Sequence, residues 1–396
     1  MSNKYKVGDT LEVFVEKIVP NGLGMCFAEN LTLFVPQSAK GDRLTVELRQ
    51  IKGKTAFAQI IDLIEGSPAR TEPKCEYFGT CGGCDFQHIS YQAQLEAKVD
   101  MIRDCLTRIG RIEFDGEIPI LKSPEEYGYR LRSQWHLDTR KKQIGYFKRQ
   151  SHEIIDARSC PILVPDLEAE LNALRENIPW EEFSAEALHI EAATDGKGTV
   201  SIYSDELVTP TDELKIPVGG DTFAFNAQTF FQSNKYLIEQ LVGEAVGGAE
   251  GKSALDLYCG VGLFSIPLAK KFESLIGVEG TERSIVFARK NLEIARLDNV
   301  KFRSLRVSQF LKDSVSQGKT FDLVLLDPPR SGVKQGVLNL LAEVASKRIT
   351  YVSCNPSTLA RDLRILIDSG FKIDKVTAVD LFPQTHHIET VVHLSR

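Results

Sequence analysis

Long apolar stretches are missing from this sequence of 396 residues. No window of about 18 residues is both apolar and free of charge, so no transmembrane helix is predicted and we expect no membrane partner. The start of the chain has no apolar core with a small-residue cleavage site behind it, so no signal peptide is predicted either. We therefore expect a cytoplasmic protein, and a chain of this length predicts two or three domains.

The sequence also lacks an excess of positive charge, with 48 Lys and Arg against 54 Asp and Glu and a net charge of −6. Taken as a whole, this balance argues against a strongly basic nucleic-acid-binding protein. The distribution is uneven, because residues 161–220 hold thirteen acidic and three basic residues, whereas residues 121–150 hold eight basic and three acidic residues. The basic segment also contains five aromatic residues, a mixture that suits phosphate contact and base stacking. We take Arg130 and Arg132 as candidate RNA contacts, with a solvated hairpin as the alternative.

Eight cysteines are present, and a reducing compartment would keep them from forming disulfides. Three of them lie within ten residues, two as a Cys-x-x-Cys pair around two glycines, and a fourth precedes Pro161. This spacing lets one loop direct several thiolates at one metal centre, either Zn²⁺ or an iron–sulfur cluster. The four are Cys75, Cys81, Cys84 and Cys160. Three isolated cysteines are expected in the core: Cys26, Cys105 and Cys259.

The pattern of the chain predicts three regions. Residues 1–62 contain short strands separated by Gly and Pro, which predicts a small β-barrel. Residues 63–220 are mixed and hold the cysteine group and the basic segment. Residues 221–396 alternate strand and helix as in a doubly wound α/β sheet of seven strands, the last two forming an antiparallel hairpin. These strands are predicted at 253–258, 275–278, 300–305, 321–326, 349–352, 372–379 and 389–394.

A glycine loop follows the first strand of this last region. Gly260 and Gly262 lie between an apolar strand and a helix, and Glu279 ends the next strand. Glycines let a ligand approach the backbone and the acid can accept hydrogen bonds from ribose hydroxyls, which predicts a nucleoside-binding crevice. The third glycine of a dinucleotide fingerprint and the Lys-Ser or Lys-Thr pair of a P-loop are both missing. S-adenosylmethionine, which has no phosphate, fits this loop better, and a vestigial site is the alternative.

Three polar side chains lie at the ends of later strands. Asp327 follows the fourth strand, Cys354 follows the fifth, and Glu389 begins the seventh. Because open α/β sheets bind ligands at the carboxyl ends of their strands, one thiol and two carboxylates would converge beside the glycine loop. Singly, Asp327 could cap a helix, Cys354 could pack and Glu389 could be solvated. Together they predict an active site.

Four segments closely resemble the S-adenosylmethionine-dependent RNA 5-methyluridine methyltransferases. The order of barrel, cysteine group and catalytic region also matches, so the resemblance covers nearly the whole chain. It is closest to the 23S ribosomal RNA uracil-5 branch that carries a TRAM domain and a 4Fe-4S cluster. The segments are Phe230-Phe231-Gln232-Ser233-Asn234, Leu326-Asp327-Pro328-Pro329-Arg330, Ser353-Cys354-Asn355-Pro356 and His387-Ile388-Glu389.

The resemblance implies that the barrel is an RNA-binding TRAM domain and that the four clustered cysteines hold a 4Fe-4S cluster. It also implies a pocket for cofactor and substrate. The residues implied to line that pocket are Gln232, Tyr258, Glu279 and Asp327, beside Gly260 and Gly262 of the glycine loop.

The chemistry explains why such residues are needed. Carbon 5 of uracil is a poor nucleophile, but a thiolate that adds to carbon 6 makes an enolate whose carbon 5 can attack the methyl group of the sulfonium. Cys354 is the candidate thiol, Glu389 the candidate base for the carbon-5 proton, and Phe230 the candidate to stack on the extruded base. We expect a monomer acting on RNA, with 23S rRNA as the target. The T-loop of tRNA is the alternative target, and a non-catalytic RNA-binding protein is the alternative function.

Overall fold

The computed structural model describes residues 5–182, 187–205 and 211–396. The chain divides into two units, and it passes between them several times. No helix in the described ranges is long and apolar enough to cross a membrane. The first unit comprises Met1–Asp104, Phe147–Glu153 and Phe382–His387, and the second comprises Cys105–Tyr146, Ile154–Leu381 and Ile388–Arg396.

The start of the chain is rich in β-strands, because apolar side chains alternate with polar ones along it. The six strands are β1 (Thr10–Phe14), β2 (Lys17–Val19), β3 (Leu23–Ala28), β4 (Leu31–Pro36), β5 (Arg43–Lys52) and β6 (Thr55–Glu65). They hydrogen-bond in the order β1-β5-β6-β4-β3-β2, and all pairs are antiparallel except β4 with β6. Cys26 lies in the buried core that these strands enclose, as predicted. The expected β-rich N-terminal region is therefore present.

The middle of the chain forms a helix, a five-stranded sheet and a separate hairpin. The elements are α1 (Tyr91–Arg108), β7 (Ile120–Leu121), β8 (Arg132–Asp138), β9 (Gln143–Phe147), β10 (Ile154–Asp156), α2 (Pro165–Asn177), a short 3-10 helix (Trp180–Glu182), β11 (Ala187–Thr194), β12 (Val200–Tyr203), β13 (Leu214–Val218) and β14 (Asp221–Phe225). The five-stranded sheet has the order β10-β9-β8-β11-β12, and β13 pairs with β14. Trp135 of β8 lies opposite Ile190 of β11, and both side chains are buried. This pair anchors the centre of the sheet.

The last region alternates helix and strand. Its elements are α3 (Ile238–Val246), β15 (Gly251–Leu257), α4 (Ser265–Ala269), β16 (Phe272–Glu279), α5 (Glu282–Ile294), β17 (Val300–Ser304), α6 (Val307–Ser316), β18 (Phe321–Leu326), α7 (Gln335–Val344), β19 (Ala345–Ser353), α8 (Pro356–Asp368), β20 (Lys372–Val379) and β21 (Glu389–Ser395). These strands form a sheet in the order β17-β16-β15-β18-β19-β21-β20-β7. The central strands are apolar on both faces, as expected where helices cover a parallel sheet.

The predicted α/β sheet is confirmed, with one correction to its strand count. All seven predicted strands are present, β18 and β20 have the predicted bounds, and β21 is antiparallel to both β19 and β20. The sheet has eight strands and not seven, because β7 from the middle of the chain pairs parallel with β20. A strand of two residues carries no readable alternation, so the sequence pattern could not predict it.

Candidate functional site

Polar side chains from five neighbouring strands meet at one edge of the eight-stranded sheet. Strands β16, β15, β18 and β19 are parallel and end at this edge, and the antiparallel β21 begins there. The edge therefore carries Glu279, the glycine loop, Asp327, Cys354 and Glu389, in that order across the sheet. Neighbouring strand ends bring together residues as distant in the sequence as Gly260 and Glu389, which lie 129 positions apart.

Cys354 lies between a strand and a helix. Ser353, the last residue of β19, pairs with Thr390 of β21, so Cys354 lies beside the start of β21, where Glu389 is found. Asn355 then caps α8, because its side-chain oxygen accepts a hydrogen bond from the Ser357 N–H at 3.0 Å. The thiol is thus held at the N-terminal end of a helix by regular backbone structure on both sides.

The electrostatics of this edge favour neutral side chains. Burial, together with the carboxylates of Glu389 and Asp327, raises the pKa of the Cys354 thiol to about 12. Burial likewise raises the pKa of Asp327 to about 7 and lifts that of Glu389 well above its usual range, with Asp327 adding to the effect on Glu389. The side chain of Glu389 is buried, and its Oε1 has no hydrogen-bond partner among the described residues. A thiol and two carboxyl groups with raised pKa values can support nucleophilic addition and proton transfer.

The glycine loop adopts a backbone conformation that few residues tolerate. Tyr258, which follows β15, has a φ of 61°, and Gly260 and Gly262 have φ values of 52° and 86°. A Cβ atom on Gly260 would meet no atom within 4 Å, whereas one on Gly262 would lie 3.4 Å from the ring of Phe302. Gly260 therefore faces open space that a ligand could fill, and Gly262 is favoured by its left-handed backbone conformation.

Two acidic residues hold the glycine loop in place. Glu279 accepts hydrogen bonds from the backbone N–H groups of Gly260 at 3.2 Å and Thr281 at 2.9 Å, so it fixes the loop and begins the next turn. Asp256 is fully buried and accepts a hydrogen bond from the Ser265 hydroxyl at 2.5 Å. Burial raises the pKa of Asp256 to about 7. Asp256 is therefore a third carboxyl group at this edge whose burial favours the protonated form.

The segment between β14 and α3 presents one aromatic ring to solvent. Phe230 is 64% exposed, whereas the next ring, Phe231, is buried and stacks on Phe225 with centroids 4.2 Å apart. Gln232, the next residue in the sequence, is also buried. An exposed ring on a firmly packed support suits stacking on a planar ligand.

The two candidate arginines hold this segment from β8 and the residues before it. Arg132 donates hydrogen bonds to the carbonyl oxygens of Asn226 at 3.3 Å and Ala227 at 3.2 Å, and burial lowers its pKa to about 10. Arg130 donates from Nε to the carbonyl oxygen of Arg132 at 2.8 Å and forms a β-bridge with Asn234. Both side chains therefore contact the protein itself, and their contact with RNA stays a prediction.

Comparison with known proteins decides the family. A family model described as tRNA (Uracil-5-)-methyltransferase matches residues 166–396. The chain is 30% identical over 417 residues to "23S rRNA (uracil(1939)-C(5))-methyltransferase RlmD" of Vibrio parahaemolyticus, which covers 96% of this chain and 94% of that protein. It is 32% identical over 422 residues to the protein of the same name in Pectobacterium atrosepticum, covering 96% and 92%. This chain belongs to the RNA uracil-C5 methyltransferase family.

The fold of the methyltransferase agrees with this assignment. The crystal structure of a Pyrococcus abyssi tRNA (uracil-54, C5)-methyltransferase in complex with S-adenosyl-L-homocysteine matches with a TM-score of 0.74 and 27% identity. The match covers 96% of this chain and 100% of that one. The methyltransferase therefore uses S-adenosylmethionine, as predicted, and methylates carbon 5 of uracil in RNA.

The cysteine group of the methyltransferase is divided between the two units. Cys75, Cys81 and Cys84 are half-buried in the first unit, where the Gly83 N–H donates to the Cys81 thiol at 3.4 Å. Burial raises the pKa of both Cys75 and Cys81. Cys160 belongs to the second unit, where its N–H donates to Glu168 at 3.1 Å. Across the described parts of the chain, no three His, Cys, Asp or Glu side chains are arranged as a metal site.

Sequence reasoning missed three residues that hold the site. Asn291 of α5 is buried and bonds the carbonyl oxygens of Ala224 and Val261, which ties β14 to the glycine loop. Asp362 of α8 is buried and accepts from the Val333 N–H and the Tyr351 hydroxyl, both at 2.7 Å, which fixes the loop after Asp327. The charge of Arg330 lowers the pKa of both Cys354 and Glu389 against the effect of burial. Of these three residues, only Arg330 belongs to a motif that the sequence showed, Asp-Pro-Pro-Arg.

Proposed function

We propose that this methyltransferase methylates carbon 5 of a specific uridine in 23S rRNA through a covalent adduct between Cys354 and carbon 6 of the base. The observation that carries the mechanism is the convergence of Cys354, Asp327 and Glu389 at the ends of β19, β18 and β21. The target is supported by the relatives of 30% and 32% identity, which are named as 23S rRNA methyltransferases and match along nearly the whole chain.

The Cys354 sulfur begins the reaction by adding to carbon 6 of uracil. With a thiol pKa of about 12, the resting site holds the neutral thiol, so the thiol proton passes to solvent as the carbon–sulfur bond forms. The addition places electron density on carbon 5, which then takes the methyl group. Bound S-adenosylmethionine supplies that methyl group from its sulfonium.

Glu389 completes the cycle by removing the proton from carbon 5. Only the ionised carboxylate can take that proton, and burial makes this form of Glu389 a stronger base. Loss of that proton re-forms the double bond between carbons 5 and 6 and expels the Cys354 sulfur, which regains a proton. The net products are methylated uridine, S-adenosylhomocysteine and one proton released to solvent.

The remaining predicted residues position the two ligands in this proposal. Asp327 and Gln232 hydrogen-bond the uracil edge or the cofactor, and the exposed ring of Phe230 stacks on the extruded base. The cofactor lies against the glycine loop, where Gly260 leaves open space beside it. Tyr258, Gly262 and Glu279 form the rest of that wall.

Trapping the adduct tests the mechanism. Wild-type protein should form a denaturation-resistant complex with RNA carrying 5-fluorouridine, because fluorine at carbon 5 cannot be removed as a proton. Cys354→Ala should form none, and Glu389→Gln should trap a complex with ordinary uridine. Full methyl transfer by Cys354→Ala would overturn the mechanism. If calorimetry detected no binding of S-adenosylmethionine, the result would instead favour a non-catalytic RNA-binding protein.

The T-loop uridine of tRNA is the second candidate target. The Pyrococcus abyssi structure of 27% identity is a tRNA methyltransferase, and the matching family model carries a tRNA description. Mass-spectrometric mapping of 5-methyluridine in rRNA and tRNA from cells with and without this protein separates the two targets. Loss of the modification from tRNA alone would overturn the rRNA assignment.

We also propose a 4Fe-4S cluster held by Cys75, Cys81, Cys84 and Cys160. Four thiolates suit iron–sulfur or zinc ligation, and the resemblance to the branch that carries a 4Fe-4S cluster is the reason to prefer the cluster. Anaerobically purified protein should contain iron and acid-labile sulfide, and Cys84→Ser should lose both. Cys105→Ser, which changes a buried thiol outside the group, is the matched control. Stoichiometric zinc without sulfide would contradict the assignment.

The three-region organisation enters this proposal as well. Residues 1–62 act as a TRAM-like RNA-binding domain, residues 63–220 carry the cluster and the basic segment, and residues 221–396 carry the catalytic site. Arg130 and Arg132 are proposed to serve RNA binding by holding the Phe230 segment in position. We expect the protein to act as a monomer.

A further inference from the structure

The connection between β20 and β21 passes through the first unit before it reaches the proposed base. Phe382–His387 belongs to the first unit, whereas Leu381 before it and Ile388 after it belong to the second. We name Phe382–His387 the 382–387 segment. Two residues after this segment the chain reaches Glu389, the first residue of β21. The backbone at Glu389 is therefore continuous with β21 on one side and with the 382–387 segment on the other.

Helix α1 holds the first half of the 382–387 segment through buried side chains. Gln94 donates a hydrogen bond from Nε2 to Oε1 of Gln384 at 3.1 Å, and its own Oε1 accepts from the backbone N–H of Gln384 at 2.9 Å. Both glutamines are buried. Lys98, which is also buried, donates from Nζ to the carbonyl oxygen of Phe382 at 3.0 Å. Burial keeps water from competing for these bonds, so they fix the segment firmly.

Asp85 holds the second half of the segment. Its Oδ2 accepts a hydrogen bond from Nδ1 of the His386 ring at 2.6 Å and a longer one from the backbone N–H of His386 at 3.4 Å. The backbone N–H groups of Asp85 and Phe86 both donate to the carbonyl oxygen of Gln384 at 3.0 Å. A buried carboxylate that bonds both the ring and the backbone of one residue fixes its orientation as well as its position.

Arg149 in turn orients Asp85. Its Nη1 donates to Oδ1 of Asp85 at 2.8 Å, and its Nη2 donates to the carbonyl oxygen of Cys84 at 2.6 Å. Because Arg149 engages Oδ1, the other carboxylate oxygen is directed at His386. Packing is also close here, since a Cβ atom on Gly22 would lie 3.1 Å from the Cβ of His386 and 3.2 Å from that of Asp85. Asp85 therefore has one well-defined orientation.

The carboxyl group of Glu389 depends on its backbone for its direction. Its Oε1 is buried and has no hydrogen-bond partner among the described residues, so no bond at that atom aims the group. On the β21 side the backbone is fixed by pairing of Glu389 with Val379 of β20. On the other side it is fixed through the 382–387 segment, whose contact with Asp85 lies closest to Glu389 along the chain.

We propose that Asp85 is a positioning residue for the removal of the carbon-5 proton. By fixing His386, Asp85 fixes the chain that enters Glu389, and so the aim of the carboxylate at carbon 5 of the base. The proposal rests on the proposed function for the role of Glu389. It predicts that loss of the contact slows the last chemical step selectively, because addition of Cys354 and methyl transfer do not use Glu389.

Accumulation of the covalent adduct tests the proposal. Full-length protein is mixed with S-adenosylmethionine and unmodified 23S rRNA and tRNA transcripts, and the denaturation-resistant adduct with ordinary uridine is measured. Asp85→Ala and His386→Ala should each accumulate at least about tenfold more adduct than the wild type, because a misdirected base abstracts the proton slowly. The rate of methyl transfer in a single turnover should change by less than about twofold.

Two further variants separate positioning from general damage. His386→Asn should keep adduct near the wild-type amount, because its amide N–H can replace the Nδ1 donor. Asp85→Ala with His386→Ala should accumulate no more adduct than either single variant, because all three lose the same contact. The His386 variants matter because Asp85 directly follows Cys84, whereas His386 lies outside the cysteine group.

Asp42→Ala is the matched control. Asp42 is another buried carboxylate of the first unit, and it accepts hydrogen bonds from Arg70 at 2.7 Å and from two backbone N–H groups outside the 382–387 segment. This variant should lose stability in urea unfolding, as Asp85→Ala should, but accumulate no adduct. Equal accumulation in the two variants would overturn the proposal. Slower methyl transfer without accumulation in Asp85→Ala and His386→Ala would overturn it as well.

The same experiment separates this proposal from the proposed function. Wild-type protein with 5-fluorouridine RNA and Glu389→Gln with ordinary uridine are measured alongside. If both form adducts while the Asp85 and His386 variants accumulate none, only the positioning role of Asp85 fails. If neither forms an adduct, the proposed function fails and the positioning role fails with it.

Discussion

Cys354 is surrounded by groups that oppose its ionisation. Burial and two neighbouring carboxylates keep the thiol protonated, whereas Arg330, a backbone hydrogen bond and the end of a helix act in the other direction. On the proposed mechanism this arrangement links formation of the thiolate to its addition to uracil. A resting thiol also resists oxidation and alkylation better than a thiolate.

Removing the charge of Glu389 should make Cys354 more reactive. Of the two carboxylates, Glu389 contributes more to the raised pKa of the thiol, so in Glu389→Gln that pKa falls, and each unit of the fall raises the thiolate fraction about tenfold at a pH where wild-type Glu389 is ionised. Iodoacetamide alkylation of the Cys354 peptide, followed by mass spectrometry at about pH 8, should be faster than in the wild type. Glu343→Gln, an exposed change on α7, should leave the rate unchanged. A slower or equal rate in Glu389→Gln would contradict this account of the site.

At the scale of elements, the site depends on how strands end. Tyr258 and Gly260 turn the chain back sharply after β15, and Glu279 at the end of β16 holds that turn through the Gly260 N–H. The reversed direction of β21 places Glu389 at the edge where β19 ends. Loops are fixed here by hydrogen bonds from neighbouring strand ends, which keeps the site preorganised.

Gly260→Ala should weaken cofactor binding beyond its effect on stability. Alanine in a left-handed conformation costs about 1 kcal/mol, and the added methyl group would occupy the space that faces the proposed ligand. Gly318→Ala is the matched control, because Gly318 also has a positive φ of 62° and open space around its Cβ position. Both variants should lose similar stability in urea unfolding, but only Gly260→Ala should raise the Kd for S-adenosylmethionine in calorimetry. Equal affinities would place the cofactor elsewhere.

At the scale of the whole molecule, the two units carry opposite kinds of buried acid. In the first unit, hydrogen bonds and charge from His386 and Arg149 hold the pKa of Asp85 far below its usual range in spite of its burial. In the second unit, burial raises the pKa values of Asp256, Asp327 and Glu389. A buried carboxylate that is held ionised by basic partners, such as Asp85, stabilises the fold. Buried acids with raised pKa values cost stability when they ionise, and they are typical of active sites.

The raised pKa values predict a stability that falls as the pH rises. Between about pH 4, where unfolded carboxyl groups ionise, and about pH 7, the folded protein keeps protons that the unfolded chain releases. Their stabilising contribution is therefore complete below that range and lost as the pH passes through about 7. The free energy of unfolding of the cofactor-free protein should fall more between pH 5 and pH 8 in the wild type than in Asp327→Asn with Glu389→Gln, by on the order of 2 kcal/mol.

Two exposed carboxyl groups provide the comparison for that measurement. Asp313→Asn with Glu343→Gln removes the same number and types of carboxyl group from the surface, so its pH profile should follow the wild type. Urea unfolding at each pH gives the free energies. An equal or steeper pH dependence in the Asp327 and Glu389 double variant than in the wild type would contradict the raised pKa values of these groups.

The sequence by itself determined the α/β class, the order of the seven main strands and the family. It could do so because buried parallel strands are continuous apolar runs, and because the glycine loop and the Ser-Cys-Asn-Pro motif are local in the chain. Strand β7 and the roles of Asn291 and Asp362 depended on the tertiary structure, since each acts on residues distant in sequence. The same holds for the alignment of Phe27, Phe34 and Phe57, which lie on three different strands. Local pattern reports which residues are buried or turned, but only strand pairing and register decide which of them meet.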